Sequence, residues 1–416
     1  MAPGTAVGIR ESAASSIRYY FEAAADRIGL HPEMRLLLSV PVRELNVELP
    51  LRRDGGRLRL FRGYRVQHNG VRGPLLGSTR VQAELDLADL RSAAESMTWR
   101  CAVANIPFGG AAGGVTCEPE QLSRRELERL MRRYASGVHH LLGIYQDVCT
   151  PGLNAGPEVM VWIADEFASL HQESRAISIG RPAESGGLPD RDAIVGRALA
   201  ALTVRAAQVC NKPISGLRVA VKSLDQSAIH TAEALIEAGC VVVGIAEERG
   251  VAYSAAGVNL DAVACQLQRE GTFGIVNRAD DSQMHTLDCD VLVIGDNECT
   301  LNNTTANQVR AQIVIEASEL VISPLAERSF AGSNVLVIPD LVGAAATILA
   351  ANAEWSSSIQ KVSAPKERVE REITASLIKI YEQVLDRSRR EDTSLRMAGY
   401  CSAIERVSRL ERLRVA

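Results

Sequence analysis

The second half of the chain alternates short β-branched runs with helical patterns, and this alternation restricts its fold more than any other feature. The runs cover residues 217–221, 241–246, 291–294, 313–315 and 335–338. Strands that alternate with helices are joined by right-handed crossovers, which place the strands parallel in one sheet with helices on both faces. We therefore predict an α/β fold with a doubly wound parallel sheet in this half.

The first half mixes strand and helix patterns, which indicates an α+β domain. A helix is expected over 16–27, and apolar segments at 34–40, 45–51 and 58–67 are predicted strands. Further on, Ser123 and Glu126 have the spacing of a capping box, so a long amphipathic helix is expected to begin there. Another helix is predicted over 158–171.

Three segments are predicted from chain length and composition. At 416 residues the chain exceeds the roughly 250 to 300 residues at which a single core stops growing. The densest Gly/Pro cluster of mid-chain covers 179–192, so we place a boundary near Gly187. The prediction is a first domain over 1–187, a second over 188–345, and charged C-terminal helices over 346–416 that return to the first domain.

Composition argues against several partner classes. The formal net charge is -4, so the chain has no broad basic field for nucleic acid or a membrane surface. Its nine cysteines form no CxxC pair, which favours free thiols in a reducing compartment and no metal site. The first residues lack a signal-peptide pattern, and no run of about 18 apolar residues follows. We expect a cytoplasmic protein.

Several separate motifs then point to one family. Residues 97–114 read MTWRCAVANIPFGGAAGG, and residues 61–69 read FRGYRVQHN. A Met-x-Trp helix at 160–162, Pro-Asp at 339–340 and Glu-Trp at 354–355 follow in order. This set resembles the glutamate, leucine, phenylalanine and valine dehydrogenases. The resemblance implies a substrate and oligomerisation domain, a Rossmann-type domain, and a cleft between them.

The substrate-site positions of that family are largely replaced here. By resemblance, Leu76 stands at the lysine that grips the substrate carboxylate, and Ala112 stands at the catalytic lysine. Gly152 stands at the aspartate that shuttles protons, and Ala351 at a serine that touches the substrate. Arg100 stands at a second substrate-binding lysine and retains its positive charge, so it is the candidate ligand contact. Loss of several members of a site that acts as a unit leaves little residual rate.

The nucleotide turn departs from the family as well. A dinucleotide domain needs G-x-G-x-x-G so that the backbone can approach the pyrophosphate at the helix N-terminus. The three glycine positions are Ser223, Asp225 and Ala228, although Glu247 stands near the place of the ribose-binding acid. We therefore expect no NAD(P) cofactor.

Other reactive side chains are expected to be structural. Cys149 has no histidine near it in sequence and is interpreted as a core residue. The adjacent His139 and His140 cannot face one metal ion from a helix, and His68 is interpreted as a packing residue of its strand.

The preferred hypothesis is a catalytically inactive glutamate dehydrogenase homologue. The GGAAGG pattern of residues 109–114 resembles the regulatory subunits of hetero-oligomeric bacterial glutamate dehydrogenases. That resemblance implies a homo-oligomer, or a hetero-oligomer with a catalytic paralogue, and a small amino-acid effector. The alternative is an enzyme: a divergent NAD(P)-dependent amino-acid dehydrogenase, or a repurposed one that acts on a small anion in the cleft through Arg100.

Overall fold

The first half of the chain forms a mixed sheet covered by helices. The computed structural model describes residues 12–171, 175–223, 226–247, 250–270, 283–296, 299–362 and 364–415. The strands of the first half are β1 (Arg43–Arg52), β2 (Leu58–Asn69), β3 (Leu75–Gln82), β4 (Gly109–Thr116) and β5 (Asp147–Thr150). Its helices are α1 (Ala13–Arg27), α2 (Pro32–Leu38), α3 (Leu87–Val103), α4 (Arg124–Val138) and α5 (Pro157–His171). The strand order is β1-β2-β4-β3-β5, with β3 parallel to both β4 and β5 and the other pairs antiparallel.

The second half forms a sheet that is parallel except at one edge. Its strands are β6 (Arg218–Lys222), β7 (Val241–Glu247), β8 (Gly250–Tyr253), β9 (Val291–Ile294), β10 (Ile313–Glu316) and β11 (Leu336–Ile338). Its helices are α6 (Arg191–Val209), α7 (Ser227–Glu237), α8 (Leu260–Glu270), α9 (Asn303–Ala306), α10 (Pro324–Gly332) and α11 (Asp340–Gly343). The order is β11-β10-β9-β6-β7-β8, and only the β7–β8 pair of these described strands is antiparallel.

The chain ends in three helices, α12 (Ala345–Gln360), α13 (Lys366–Glu391) and α14 (Leu395–Val415). Helix α14 packs against α1 and α3, which confirms the predicted return of the tail to the first domain. Helix α13 instead packs mainly against α6 and α14. Among the described residues, no helix is both long enough and apolar enough to cross a membrane.

The sequence prediction is confirmed for the two-domain α/β architecture and for the parallel order of β6, β7, β9, β10 and β11. The capping box is also confirmed, because Ser123 Oγ accepts from Glu126 N and Glu126 Oε2 accepts from Ser123 N. The predicted strand at 34–40 is wrong, since this segment forms α2. A continuous apolar run does not distinguish a strand from a short helix, and Pro32 at the first helical position favours the helix. The domain boundaries at 187 and 345 stay predictions.

Candidate functional site

The strand positions assigned to two lysines carry apolar side chains that are packed into the core. Leu76 on β3 lies opposite Gly110, and Ala112 on β4 lies opposite Ser78 in the same parallel pair. Both Leu76 and Ala112 are buried. Ala112 belongs to an apolar cluster whose other members include Tyr64, Val66, Leu90 and Ala94. A methyl or isobutyl group in such surroundings can neither bind a carboxylate nor move a proton.

Gly152 follows β5, and its backbone leaves no room for a side chain. A β-carbon at this position would lie 2.4 Å from the carbonyl oxygen of Thr79 and 3.2 Å from Cγ of Arg80. Because the first of these atoms is backbone, any larger residue requires β3 or the loop to shift. The carboxylate expected here in the family is therefore excluded by the local backbone as well as by the residue type.

Arg100 lies in the last turn of α3 and points a buried guanidinium toward the second domain. Asp86 caps the N-terminus of this helix, because its side chain accepts a hydrogen bond from Asp89 N. Arg100 is only 7% exposed, and its Nη1 lies 3.7 Å from Oε2 of Glu319, in the turn after β10. Its Nε donates no hydrogen bond to any described residue. Ala351, on α12, is buried in the main apolar core.

Two further residues of this region were not among the sequence candidates. Arg80, near the end of β3, places Nη2 3.5 Å from the same Glu319 oxygen that faces Arg100. Glu319 stands in the turn 316–319, where the dehydrogenases that the motifs resemble have Glu-Gly-Ala-Asn, and the charged residue at the asparagine position was the available signal. Nothing in the local sequence marks Arg80. Together these residues place two cations, on β3 and α3, beside one anion in the turn after β10.

A buried ionic network lies beside this cluster and holds α14 against the second domain. Arg396 donates to Glu316 Oε2 at 2.5 Å, to Glu327 Oε2 at 2.5 Å and to Asp340 Oδ1 at 2.7 Å. Burial raises the pKa of Glu316, while the charge of Arg396 acts against that rise. Burial also raises the pKa of Asp340, and the charges of Arg396 and then Arg100 oppose it. Arg100 is thus within electrostatic reach of this network.

The turn after β6 is occupied by the chain's own polar groups. Lys222 Nζ lies 2.7 Å from Asp296 Oδ2, across the carboxyl ends of two neighbouring strands. Ser223 N donates to Ala246 O at 3.0 Å, and Ser223 Oγ lies 3.1 Å from Ser227 Oγ. Lys222 is therefore paired with Asp296, and Asp225, the second of the three glycine positions, lies outside the described residues.

The remaining nucleotide-turn candidates occupy the same edge of the sheet. Ala228 is fully buried in the first turn of α7, where alanine is an accepted alternative to the third glycine. Among the described glycine positions of the dinucleotide motif, Ser223 is therefore the substitution that departs most from the motif. Glu247 ends β7 and is buried, one residue beyond Ala246, which lies opposite Lys222. A role for Glu247 toward ribose stays a prediction.

Of the residues interpreted as structural, Cys149 and His68 are buried, whereas His139 is half-buried and His140 is exposed. Cys149 is buried, and burial raises the pKa of its thiol, which disfavours the nucleophilic thiolate. His68 is buried, with Nδ1 2.9 Å from Thr98 Oγ1 and Nε2 3.0 Å from Leu38 O. His139 lies 2.9 Å from His171, the last residue of α5. Within the described chain, no group of three or more His, Cys, Asp or Glu side chains is placed to hold a metal ion.

The late Glu-Trp motif joins α12 to the first domain. Glu354 accepts hydrogen bonds from Gly180 N at 2.9 and 3.0 Å. Trp355 Nε1 donates to Ile144 O at 2.9 Å, and its ring meets the Phe108 ring edge-on at 4.9 Å. These contacts give the Glu-Trp motif a structural role that does not depend on a bound substrate.

Comparison with known proteins decides the family. Residues 41–169 match the model of the Glu/Leu/Phe/Val dehydrogenase dimerisation domain, and residues 186–414 match that of glutamate/leucine/phenylalanine/valine dehydrogenase. The chain belongs to the glutamate, leucine, phenylalanine and valine dehydrogenase family. Its membership confirms the resemblance drawn from the motifs.

Individual members of this dehydrogenase family match nearly the whole chain. An NAD-specific glutamate dehydrogenase of Staphylococcus aureus (strain COL) is 28% identical over 96% of this chain and 97% of its own length. A hetero-hexameric glutamate dehydrogenase of Thermus thermophilus, solved with leucine bound, is 30% identical over 99% of both chains, with a TM-score of 0.91. A glutamate dehydrogenase of Peptoniphilus asaccharolyticus shares the fold at 23% identity over 97% of this chain and 99% of that one, with a TM-score of 0.84.

Proposed function

We propose that the chain is a catalytically inactive member of its family and serves, in the cytoplasm, as a regulatory subunit of an oligomer with a catalytic glutamate dehydrogenase paralogue. The proposal rests on the surroundings of Ala112 and Gly152, which stand at two positions that are catalytic in the family. Ala112 offers a methyl group inside an apolar cluster, and at Gly152 a β-carbon would lie 2.4 Å from a carbonyl oxygen. General acid and base groups contribute about two to four orders of magnitude in rate, so their loss removes useful turnover.

The proposal extends to the cofactor and the partner. The Lys222–Asp296 pair and the Ser223 side chain fill the turn where a dinucleotide would need open backbone, so we propose that NAD(P) does not bind. The likeness to the hetero-hexameric Thermus protein supports a mixed oligomer, and the leucine in that structure supports a small amino-acid effector. Such an effector would act by binding one state of the complex more tightly than the other.

A second candidate is an enzyme that acts on a small anion through Arg100. It is favoured by the buried guanidinium, whose Nε has no hydrogen-bond partner among the described residues. It is disfavoured because the neighbouring carboxylate, Asp340, already accepts a hydrogen bond from Arg396 Nη1 at 2.7 Å. An acid that is already paired at this distance is poorly placed to transfer protons.

An activity assay tests the proposal. The purified chain is mixed with NAD or NADP and with glutamate, leucine, phenylalanine or valine, and cofactor reduction is followed by absorbance. The Staphylococcus relative, assayed alongside, is the positive control. We expect no amino-acid-dependent reduction by this chain alone, and a leucine-dependent change in rate when it is combined with a catalytic paralogue from its own cell. Reduction by the chain alone would overturn the proposal.

A further inference from the structure

A shallow groove runs between the turn that joins β2 to β3 and the last turns of α14. Its volume is about 460 Å³, within the roughly 300 to 1,000 Å³ of small-molecule sites. Most of its lining is aliphatic: Val42, Gly70, Val71, Leu75, Leu410, Leu413 and Arg414. Leu413 and Val42 are 77% and 58% exposed, and exposed apolar side chains grouped in a groove indicate a binding surface. The charged member, Arg414, lies 3.8 Å from Glu411 Oε1.

Two further arginines lie at the end of this groove nearest α3. Arg72 belongs to the turn between β2 and β3, and Arg406 lies on α14, one helical turn before the groove lining begins. Both donate to backbone carbonyls at the end of α3, Arg72 Nη2 to Ile106 O at 2.9 Å and Arg406 Nη1 to Ala102 O. The pair therefore lies between the same two elements that form the walls of the groove.

Three arginines at this end of the groove lie within reach of one another's charge. Burial lowers the pKa of Arg72, and the charge of Arg406 lowers it further. Burial and then the charge of Arg409 lower the pKa of Arg406. No described carboxylate accepts a hydrogen bond from any of the three, and the buried Nε of Arg72 has no partner in the described part of the chain. A buried donor without a partner costs free energy, so it requires an explanation such as a ligand.

The carboxylates on this part of α14 are engaged elsewhere. Glu405, which feels the charge of Arg409, accepts from both Nη atoms of Arg387 at 2.7 and 2.8 Å. Glu411 is buried and accepts from Asn69 Nδ2 at 2.7 Å. Like charges held close together repel, and a bound anion removes that repulsion. An anionic group is therefore the ligand chemistry that suits this end of the groove.

We propose that the groove binds a small alkyl phosphate, with its aliphatic chain against Leu410 and Leu413 and its phosphate at Arg72 and Arg406. Three neighbouring cations favour a dianionic head, and a guanidinium matches the geometry of phosphate oxygens. Arg72 Nε supplies a donor that no described residue uses. The inference goes beyond the proposed function, because it concerns a surface outside the interdomain cleft and holds with or without a catalytic partner.

The test is calorimetric titration of the full-length chain with n-hexyl phosphate at constant ionic strength. Hexanol, which lacks the charge, and inorganic phosphate, which lacks the chain, are the ligand controls. Each control should bind at least about tenfold more weakly than n-hexyl phosphate, because each makes only one of the two kinds of contact.

Four variants locate the site. Arg406→Gln should weaken binding of n-hexyl phosphate at least about tenfold, because a charged hydrogen bond is lost. Leu413→Ser shortens the apolar wall and should weaken binding at least about threefold. The matched controls are Arg125→Gln on α4 and Leu58→Ser on β2, which change exposed residues far along the chain and should bind as the unaltered chain does.

The inference is overturned if hexanol or inorganic phosphate binds as tightly as n-hexyl phosphate, or if folded Arg406→Gln binds n-hexyl phosphate unchanged. A groove that another subunit covers would leave the unaltered chain without binding, and that result would overturn the inference as well. Should Arg406→Gln fail to fold, Leu413→Ser decides, because its side chain is mostly exposed and is not needed for the core. Unchanged affinity of Leu413→Ser would contradict the proposed position of the chain.

Discussion

The carbonyl oxygen of Thr79 occupies the space that a β-carbon of residue 152 would need, at a separation of 2.4 Å. The glycine is therefore required by the backbone of β3, which runs beside the loop that carries residue 152. A carboxylate therefore cannot be introduced at residue 152 by substitution of that residue alone unless the backbone shifts.

The first prediction is that Ala112→Lys combined with Gly152→Asp does not restore dehydrogenase activity. Gly152→Asp by itself should lower the free energy of unfolding by roughly 2 to 4 kcal/mol, because overpacking forces the backbone to move. Gly156→Ala is the matched control, since a β-carbon there meets no atom within 4 Å. Chemical denaturation measures the stabilities. Recovery of amino-acid-dependent NAD(P) reduction in the double variant would contradict the account.

Arg396 provides a second prediction, on stability. Arg396→Met leaves Glu316 and Asp340 buried without their cation, so the free energy of unfolding should fall by about 3 to 5 kcal/mol. The exposed pair Arg368–Glu372, at 2.8 Å, is the comparison, and Arg368→Met should cost less than about 1 kcal/mol. Equal losses in the two variants, measured by urea denaturation, would show that the buried network does not hold α14 in place.

The pH dependence of stability gives a third prediction, through His68. Burial lowers the pKa of His68 to about 4, against the weaker opposing effect of its bond to Leu38 O. The unfolded chain therefore takes up a proton at higher pH than the folded chain does. The stability that neutral His68 contributes is complete above about pH 6.5 and is lost as the pH falls toward 4, by roughly 3 kcal/mol.

His68→Gln cannot titrate, so its free energy of unfolding should fall less steeply between pH 6.5 and 4 than that of the unaltered chain. His31→Gln, at an exposed histidine, should leave the slope unchanged. Denaturation curves collected across this range make the comparison. Parallel pH profiles for the unaltered chain and His68→Gln would refute the assignment.

The fourth prediction concerns the nucleotide turn. NADH fluorescence titration should show no saturable binding below about 1 mM, the upper end of the range usual for enzyme ligands. Ser223→Gly combined with Asp225→Gly removes the side chains from two of the glycine positions and should make binding measurable. Tight NADH binding by the unaltered chain would show that Ser223 and the Lys222–Asp296 pair do not close the site.

Most of the fold was predictable because the signals are local. The β-branched runs of the second half and the Ser123–Glu126 cap depend on residues close in sequence. One error and one omission come from ambiguous local signals. The apolar run of α2 fits either a strand or a helix. Strand β8, which was not predicted, has only four residues and runs antiparallel to β7. The motif around Arg100 marked this residue as a candidate, and the structure places its guanidinium 3.7 Å from Glu319, while a role toward a ligand stays a prediction.

The rest of the site depends on distant contacts. Arg80 and Glu319 are 239 residues apart and meet only because the two domains bring β3 beside the turn after β10. The steric block at Gly152 arises from a neighbouring strand's carbonyl, which no residue type reveals. Sequence patterns thus predict which functional groups are replaced, whereas the surroundings of the replacing residues depend on packing between distant segments.

Native mass spectrometry of the tagged protein isolated from its own cells tests the central claim most directly, because it reads the masses of the subunits in the intact assembly. The account predicts a second subunit in fixed stoichiometry, with the mass of a glutamate dehydrogenase that retains lysine at the position of Ala112. An assembly built only from copies of this chain would contradict the claim that it serves as a regulatory subunit of a catalytic partner.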